Sequence, residues 1–185
     1  MTTIVSALGA EAAPLIDYLG LEKIERQPFP LYRKEERFLI ISGIGMLPSA
    51  IATTHILTRF PQLQSGKVVN IGIAGASRKP IGSLFQIKKV IDHATDKVYH
   101  LPASFSLPGA SLSTFATPCS QTREIKSDLA DMEAAGFLKA AKTFVPDTQI
   151  HLLKIVSDNL EPEILSKERI AGLITPHLPT LKELL

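Results

Sequence analysis

Short apolar runs alternate along the chain with segments in which apolar residues recur every three or four positions. The run from Thr3 to Ala7 predicts a strand, and Ala12, Leu15, Ile16 and Leu19 then share one face of a predicted helix. The same alternation of strand and helix continues to the C-terminus. It predicts an α/β fold of three layers, in which helices cover both faces of a mostly parallel or mixed central sheet.

The remaining elements follow from the same patterns. Further strands are predicted over residues 32–33, 37–41, 67–73, 84–91, 112–116 and 150–156, and further helices over 47–60, 132–144, from Pro162 to Leu173, and in a short final segment ending at Leu185. The stretch 101–111 is rich in Pro, Ser and Gly, which predicts a loop. Because the chain shows neither internal repeats nor a low-complexity tract, residues 1–185 are predicted to form a single domain.

Composition excludes several classes of protein. The 185 residues include 20 Lys and Arg against 18 Asp and Glu, and the net charge of +2 is not gathered into a basic run. This balance argues against nucleic acid as a ligand. No apolar run approaches the roughly 18 residues of a membrane span, and no signal peptide is visible, so a cytoplasmic protein away from the membrane is expected. With one Cys and scattered His, neither a metal nor a cofactor is predicted.

Three carboxylates are candidates for chemistry, because ligands of open α/β sheets bind at the carboxyl ends of the strands. Glu11 follows the first strand, Glu133 begins a helix, and Asp158 follows the strand 150–156. Each also has a purely structural interpretation. Glu11 and Glu133 would be favourable at helix N-termini, and Asp158 would cap a turn. The glycines of Gly43-Ile44-Gly45 likewise fit a turn that needs no ligand.

Six segments, taken in order, resemble the nucleoside phosphorylase/nucleosidase superfamily, and within it the methylthioadenosine/S-adenosylhomocysteine nucleosidases. They are residues 7–11 (ALGAE), 42–45 (SGIG), 69–76 (VNIGIAGA), 82–84 (GSL), 131–135 (DMEAA) and 156–159 (VSDN). The most specific feature is the helix start DMEAA together with a later strand that ends in Ser-Asp. The resemblance implies the phosphorylase/hydrolase-like fold and cleavage of the N-glycosidic bond between a purine and a ribosyl group. The implied partner is a purine nucleoside, and a homodimer or larger homo-oligomer is expected.

The resemblance also implies roles for individual residues. Asp158 would protonate the purine at N7 or hydrogen-bond to it, Glu133 would accept hydrogen bonds from the ribose hydroxyls, and Glu11 would activate the attacking water. Met132 would form an apolar wall against the sugar. Further substrate contacts are expected from Gly43, Ile73, Ala74, Gly75, Pro118 and Ser157.

Water or phosphate could be the acceptor of the ribosyl group. Phosphorylases of the superfamily carry an Arg where this chain has Asn70, and a neutral amide cannot bind phosphate as a guanidinium does. This favours water, although Arg78 lies only eight residues later and keeps a phosphate site open.

The middle of the chain departs from the family pattern. Between Ile91 and Met132 it is too short for the family's additional strand and helix, which carry the aromatic residue that stacks on the base. Phe105 and Phe115 are candidates for that role, and Ser83 replaces an acidic residue of the family. A nucleoside-binding protein without catalysis therefore stays an alternative beside the nucleosidase and the phosphorylase.

A dinucleotide-binding domain is disfavoured, because no Gly-x-Gly-x-x-Gly follows the first strand. The predicted helix 47–60 is the candidate subunit interface, because Ile51, Ile56 and Leu57 point to more than one of its sides.

Overall fold

Helices cover both faces of one mixed sheet in the computed structural model, which describes residues 1–119, 125–160 and 165–185. The strands of the described part are β1 (Thr2–Ser6), β2 (Glu22–Glu25), β3 (Leu31–Lys34), β4 (Arg37–Ile41), β5 (Lys67–Gly75), β6 (Leu84–Asp92), β7 (Val98–His100), β8 (Gly109–Thr114), β9 (Leu129–Asp131) and β10 (Ile150–Asp158). The α-helices are α1 (Gly9–Leu19), α2 (Met46–Arg59), α3 (Ala134–Phe144), α4 (Lys167–Ile174) and α5 (Leu178–Leu184).

Strand β5 is the centre of the sheet. It lies parallel to β1 on one side and to β10 on the other, and its last residue also pairs with the antiparallel strand β9, at Gly75 and Ala130. At one end of the sheet β2 and β3 run antiparallel to their neighbours, and β6 and β10 run antiparallel to each other. Because β1, β5 and β10 are parallel, their carboxyl ends meet at one edge, and β9 brings the start of α3 to the same place.

Two apolar layers hold the helices against the sheet. Residues of α2 and α3, such as Ile56 and Phe137, are buried against one face. Residues of α1, α4 and α5, such as Leu15 and Ile174, are buried against the other. Removal of this apolar surface from water is the main force that drives the layers together. The arrangement confirms the predicted three-layer α/β class, with a mixed sheet.

The predicted elements agree with the structure except at short or polar segments. The sequence did not predict β2, β7 or β9, because they are three or four residues long and do not show the apolar alternation typical of strands. The loop predicted over 101–111 ends earlier, since β8 begins at Gly109. Helix α4 begins at Lys167, where the Ser166 side chain caps the Arg169 N–H. The predicted start at Pro162 lies outside the described residues.

Within the described ranges, no helix is long and apolar enough to cross a membrane. The same residues contain no group of His, Cys, Asp and Glu side chains arranged to hold a metal ion. The cytoplasmic location stays a prediction.

Candidate active site

A cavity of about 430 Å³ opens at the sheet edge where β1, β5 and β10 end. A volume of this size lies within the range of small-molecule sites. All three predicted carboxylates line it, and so do most of the other predicted contacts. The lining residues are Ala7, Leu8, Glu11, Ile44, Ile73, Ala74, Gly75, Pro118, Cys119, Ala130, Asp131, Met132, Glu133, Ser157, Asp158 and Leu160.

Glu11 is held by backbone N–H groups on both sides of its carboxylate. Its Oε2 accepts hydrogen bonds from the N–H groups of Ala7 (3.0 Å) and Leu8 (2.9 Å), which caps α1. Its Oε1 accepts one from Ile73 in β5 (2.8 Å). Burial raises the pKa of Glu11, while Lys154 and the three N–H groups oppose that rise. Glu11 therefore caps a helix and also presents a basic carboxylate to the cavity.

Glu133 lies at the N-terminus of α3, and its side chain contacts the residue that precedes α2. Its Oε1 accepts a hydrogen bond from the Gly45 N–H at 2.8 Å. Gly45 has φ of +107°, a conformation that only glycine adopts readily. A glycine at this position therefore allows the backbone to direct its N–H towards Glu133. Burial, and then the neighbouring Asp131, raise the pKa of Glu133 to about 7. The carboxylate is thus close to its midpoint of ionisation at neutral pH.

Asp158 ends β10 at an irregularity in its pairing with β5. The Ser157 hydroxyl donates to its Oδ2 (2.5 Å) and the Leu160 N–H donates to its Oδ1 (2.7 Å). The second bond is the turn cap that its position in the sequence suggested. Because both oxygens are held, the carboxylate has a fixed direction in the wall of the cavity.

Sequence reasoning missed two charged residues of this site, Asp131 and Lys154. The Lys154 ammonium lies 2.9 Å from Asp131 Oδ2, and both side chains are almost completely buried. Lys154 belongs to the strand predicted over residues 150–156. Its position inside a strand that is otherwise nearly all apolar is the signal that could have singled it out, because a buried lysine needs a partner.

Not every predicted contact reaches the cavity. Gly43 does not line it, whereas its neighbour Ile44 does, and Gly45 binds Glu133. Phe105 packs against His151 near the start of β10, at the opposite end of the strand from the cavity, with ring centres 4.7 Å apart. Phe115 is buried beside the site, but it is not a lining residue. Neither aromatic therefore lines the space available to a base.

The cavity is acidic. Among the described residues that line it are four carboxylates and no Lys, Arg or His. Asn70 is buried in the sheet, where its amide donates to the Val5 carbonyl oxygen at 3.0 Å, and it does not line the cavity. Arg78 is exposed on the segment after β5 and is not a lining residue.

Solved structures with the same fold were found by comparison. A Helicobacter pylori 5′-methylthioadenosine/S-adenosylhomocysteine nucleosidase, crystallised with butyl-thio-DADMe-Immucillin-A, aligns with a TM-score of 0.82 at 20% identity, over 98% of this chain and 96% of that one. An Arabidopsis thaliana 5′-methylthioadenosine nucleosidase aligns with a TM-score of 0.82 at 18% identity, over 98% and 93% of the two chains. The chain has the nucleosidase fold.

Another structure with this fold is the H. pylori futalosine hydrolase, with a TM-score of 0.81 at 19% identity over 98% of this chain and 95% of that one. No protein-family model and no curated protein matches the sequence. On the nucleosidase fold, the carboxylates Glu11, Glu133 and Asp158 all lie at the sheet edge where open α/β proteins bind their ligands.

Proposed function

We propose that the protein is a nucleosidase that hydrolyses the N-glycosidic bond of a purine nucleoside or a 5′-thio nucleoside. The observation that carries this proposal is the meeting of Glu11, Glu133 and Asp158 in one cavity of a nucleosidase fold. The products would be the free base and the ribose derivative.

Asp158 would act on the leaving group. Breaking the bond leaves negative charge on the purine, and a proton or a strong hydrogen bond at N7 makes the base a better leaving group. Such general acid catalysis contributes roughly 10²- to 10⁴-fold in rate. The bonds from Ser157 and Leu160 support this role, because they fix the direction in which the carboxyl group meets the base.

Glu133 would bind the ribosyl group. A carboxylate only accepts hydrogen bonds, so it can take bonds from both ribose hydroxyls. The transition state of glycoside hydrolysis resembles an oxocarbenium ion, and a negative charge beside it is stabilising. Met132, which also lines the cavity, would pack against the sugar.

Glu11 would position and deprotonate the water. Its raised pKa supports this role, since a general base works best with a pKa near the working pH. The N–H groups of Ala7, Leu8 and Ile73 hold the carboxylate in place without donating charge to it.

The acidic lining supports water as the acceptor. A phosphate ion would enter a space with four carboxylates and, in the described part of the chain, no lining cation. Phosphate sites of proteins instead use Arg, Lys or clustered N–H groups. The buried Asn70 amide offers no such charge, so phosphorolysis is the less favoured reaction.

The test is release of free base from methylthioadenosine, S-adenosylhomocysteine, adenosine, inosine and futalosine, each with and without phosphate. We expect release without phosphate from at least one compound, and its loss in Asp158→Asn. The matched control is Asp96→Asn, which changes a carboxylate that is 77% exposed on the surface. Release only with phosphate would make the protein a phosphorylase, and binding without any release would make it a nucleoside-binding protein.

We also propose that the protein works as a homodimer or larger homo-oligomer. Ile44, Leu47 and Ile51 form an exposed apolar ridge at the start of α2, with Leu47 70% exposed. The ridge is continuous with the cavity, because Ile44 lines both, so a partner subunit seated there would close the cavity. Sedimentation of the protein and of Leu47→Glu tests this, and a monomeric parent protein would contradict it.

A further inference from the structure

Lys154 carries a charge where proteins rarely place one. It lies within β10, its side chain is 2% exposed, and its Nζ is 2.9 Å from Asp131 Oδ2. A buried ammonium is costly unless it is paired and hydrogen-bonded, so the pair with Asp131 needs a reason beyond packing. An apolar residue of similar length would fill the same space without that cost.

Asp131 fixes where Lys154 can reach. Its Oδ1 accepts a hydrogen bond from the Thr114 hydroxyl at 2.8 Å, and its Oδ2 accepts one from the Ala134 N–H at 2.9 Å. These bonds tie Asp131 to β8 and to the first turn of α3. Asp131 itself lies two residues before Glu133 in the chain. Lys154 is therefore joined to the segment that carries the proposed ribose-binding carboxylate.

Gly72 has no side chain, which leaves room for the Glu11 carboxylate beside Lys154. Gly72 is the neighbour of Lys154 across the β5–β10 pairing, and a Cβ built on it would lie 2.7 Å from Glu11 Oε1. The space that a side chain would take at this position is thus occupied by the Glu11 carboxylate. On the other side Lys154 pairs with Phe85 of β6, which carries no charge.

The charges around Lys154 are unequal. Lys154 interacts electrostatically with Asp131 from β9, Glu133 from the start of α3 and Glu11 from α1. In the described part of the site, three carboxylates thus interact with one ammonium. Without that ammonium, Glu11 and Glu133 would repel each other in a buried space with little screening.

We propose that Lys154, held in place by Asp131, is a positioning residue that supplies the positive charge allowing Glu11 and Glu133 to be ionised together. This rests on the proposed function, in which one of these carboxylates binds ribose and the other activates water. Lys154 does not line the cavity, so it acts through the carboxylates and not by contact with the substrate.

The test compares Lys154→Met and Lys154→Arg with the parent protein. The readouts are kcat and KM for the best substrate, from about pH 5.5 to about pH 9. We expect Lys154→Met to lose about 100-fold in kcat, the cost of a catalytic group displaced by about 1 Å. The acid limb of its pH–rate profile, where kcat falls towards low pH, should also move to higher pH, because Glu11 and Glu133 lose the nearby ammonium. Lys154→Arg keeps the charge and should retain the acid limb of the parent.

Asp131→Asn separates an electrostatic role from a structural one. Removing the Asp131 charge relieves the repulsion of Glu133, so the acid limb should move to lower pH, opposite to the shift of Lys154→Met. If the Lys154–Asp131 pair only supported the fold, both variants would lose kcat, but their acid limbs would not move in opposite directions. The control is Lys139→Met, which breaks an ion pair to the buried Asp92 that is not part of the cavity lining.

The outcomes are distinguishable from failure of the proposed function. No turnover by the parent protein would overturn the proposed function. Turnover by the parent, with a folded Lys154→Met variant that keeps the parent kcat and acid limb, would overturn only the role of Lys154. If Lys154→Met does not fold, Lys154→Gln, which also removes the charge but keeps a hydrogen-bond donor for Asp131, decides: an acid limb moved to higher pH supports the proposal, and an unchanged limb overturns it.

Discussion

Substitution of Glu133 by Gln should make the protein more stable and less active, and both effects should depend on pH. Burial raises the pKa of this carboxyl from 4.5 to about 7. The folded protein therefore binds the proton more tightly than the unfolded chain, and ionisation of Glu133 lowers stability as the pH rises from 4.5 through 7. Glutamine cannot ionise, so the variant escapes this loss.

The magnitude follows from the size of the shift. Each pKa unit corresponds to about 1.4 kcal/mol, so a shift from 4.5 to about 7 amounts to roughly 3 kcal/mol. Glu133→Gln should exceed the parent in free energy of unfolding by up to about 3 kcal/mol above pH 7, and the advantage should vanish near pH 4.5. The hydrogen bond from Gly45 persists, because the Gln carbonyl oxygen can accept it.

Urea unfolding of both proteins at a series of pH values measures this difference. In parallel, kcat/KM of the parent should fall about tenfold per pH unit below about pH 7, since the ionised carboxylate is the form that binds ribose. A stability difference that is the same at pH 5 and pH 8 would refute the reasoning. It would mean that Glu133 ionises in the folded protein as easily as in water.

Three further substitutions test other parts of the structure. Gly72→Ala places a Cβ 2.7 Å from Glu11 Oε1, so kcat should fall about 100-fold with the circular dichroism spectrum unchanged. Gly136→Ala places a Cβ 2.0 Å from the Met46 carbonyl oxygen, and the forced separation of α2 from α3 should cost about 1–3 kcal/mol in urea unfolding. Burial and the nearby Lys67 lower the pKa of His151 to about 4, so stability should fall by up to about 3 kcal/mol as the pH drops from 6.5 to 4. His151→Leu should remove that acid sensitivity, and an unchanged pH dependence would contradict the assignment.

The three-layer class and the approximate site follow from local patterns in the sequence. The apolar stripe of α1 and the buried runs of β5 and β10 depend on residues near one another in the chain, so their periodicity shows directly. Glu11 lies in the first turn of the helix that follows β1, Asp158 ends β10, and parallel strands deliver their carboxyl ends to one edge.

What the sequence did not reveal depends on contacts between distant residues. Asp131 and Lys154 are separated by 22 residues and meet only because β9 joins β5 at its last residue. The short strand β9 has too few residues to show a period. Phe105 is a candidate for stacking on the base, but it packs on His151 near the start of β10, at the opposite end of the strand from the cavity.

The most direct test of the central claim is the fate of the ribosyl group in the presence of phosphate. The substrate that releases base most rapidly is incubated with excess phosphate, and the products are followed by ³¹P NMR and by a reducing-sugar assay. The account predicts one reducing sugar for each free base and no ribosyl phosphate, because the cavity that holds Glu11, Glu133 and Asp158 has no cation among its described lining residues. Formation of a ribosyl 1-phosphate, or release of base that continues unchanged in Asp158→Asn, would contradict it.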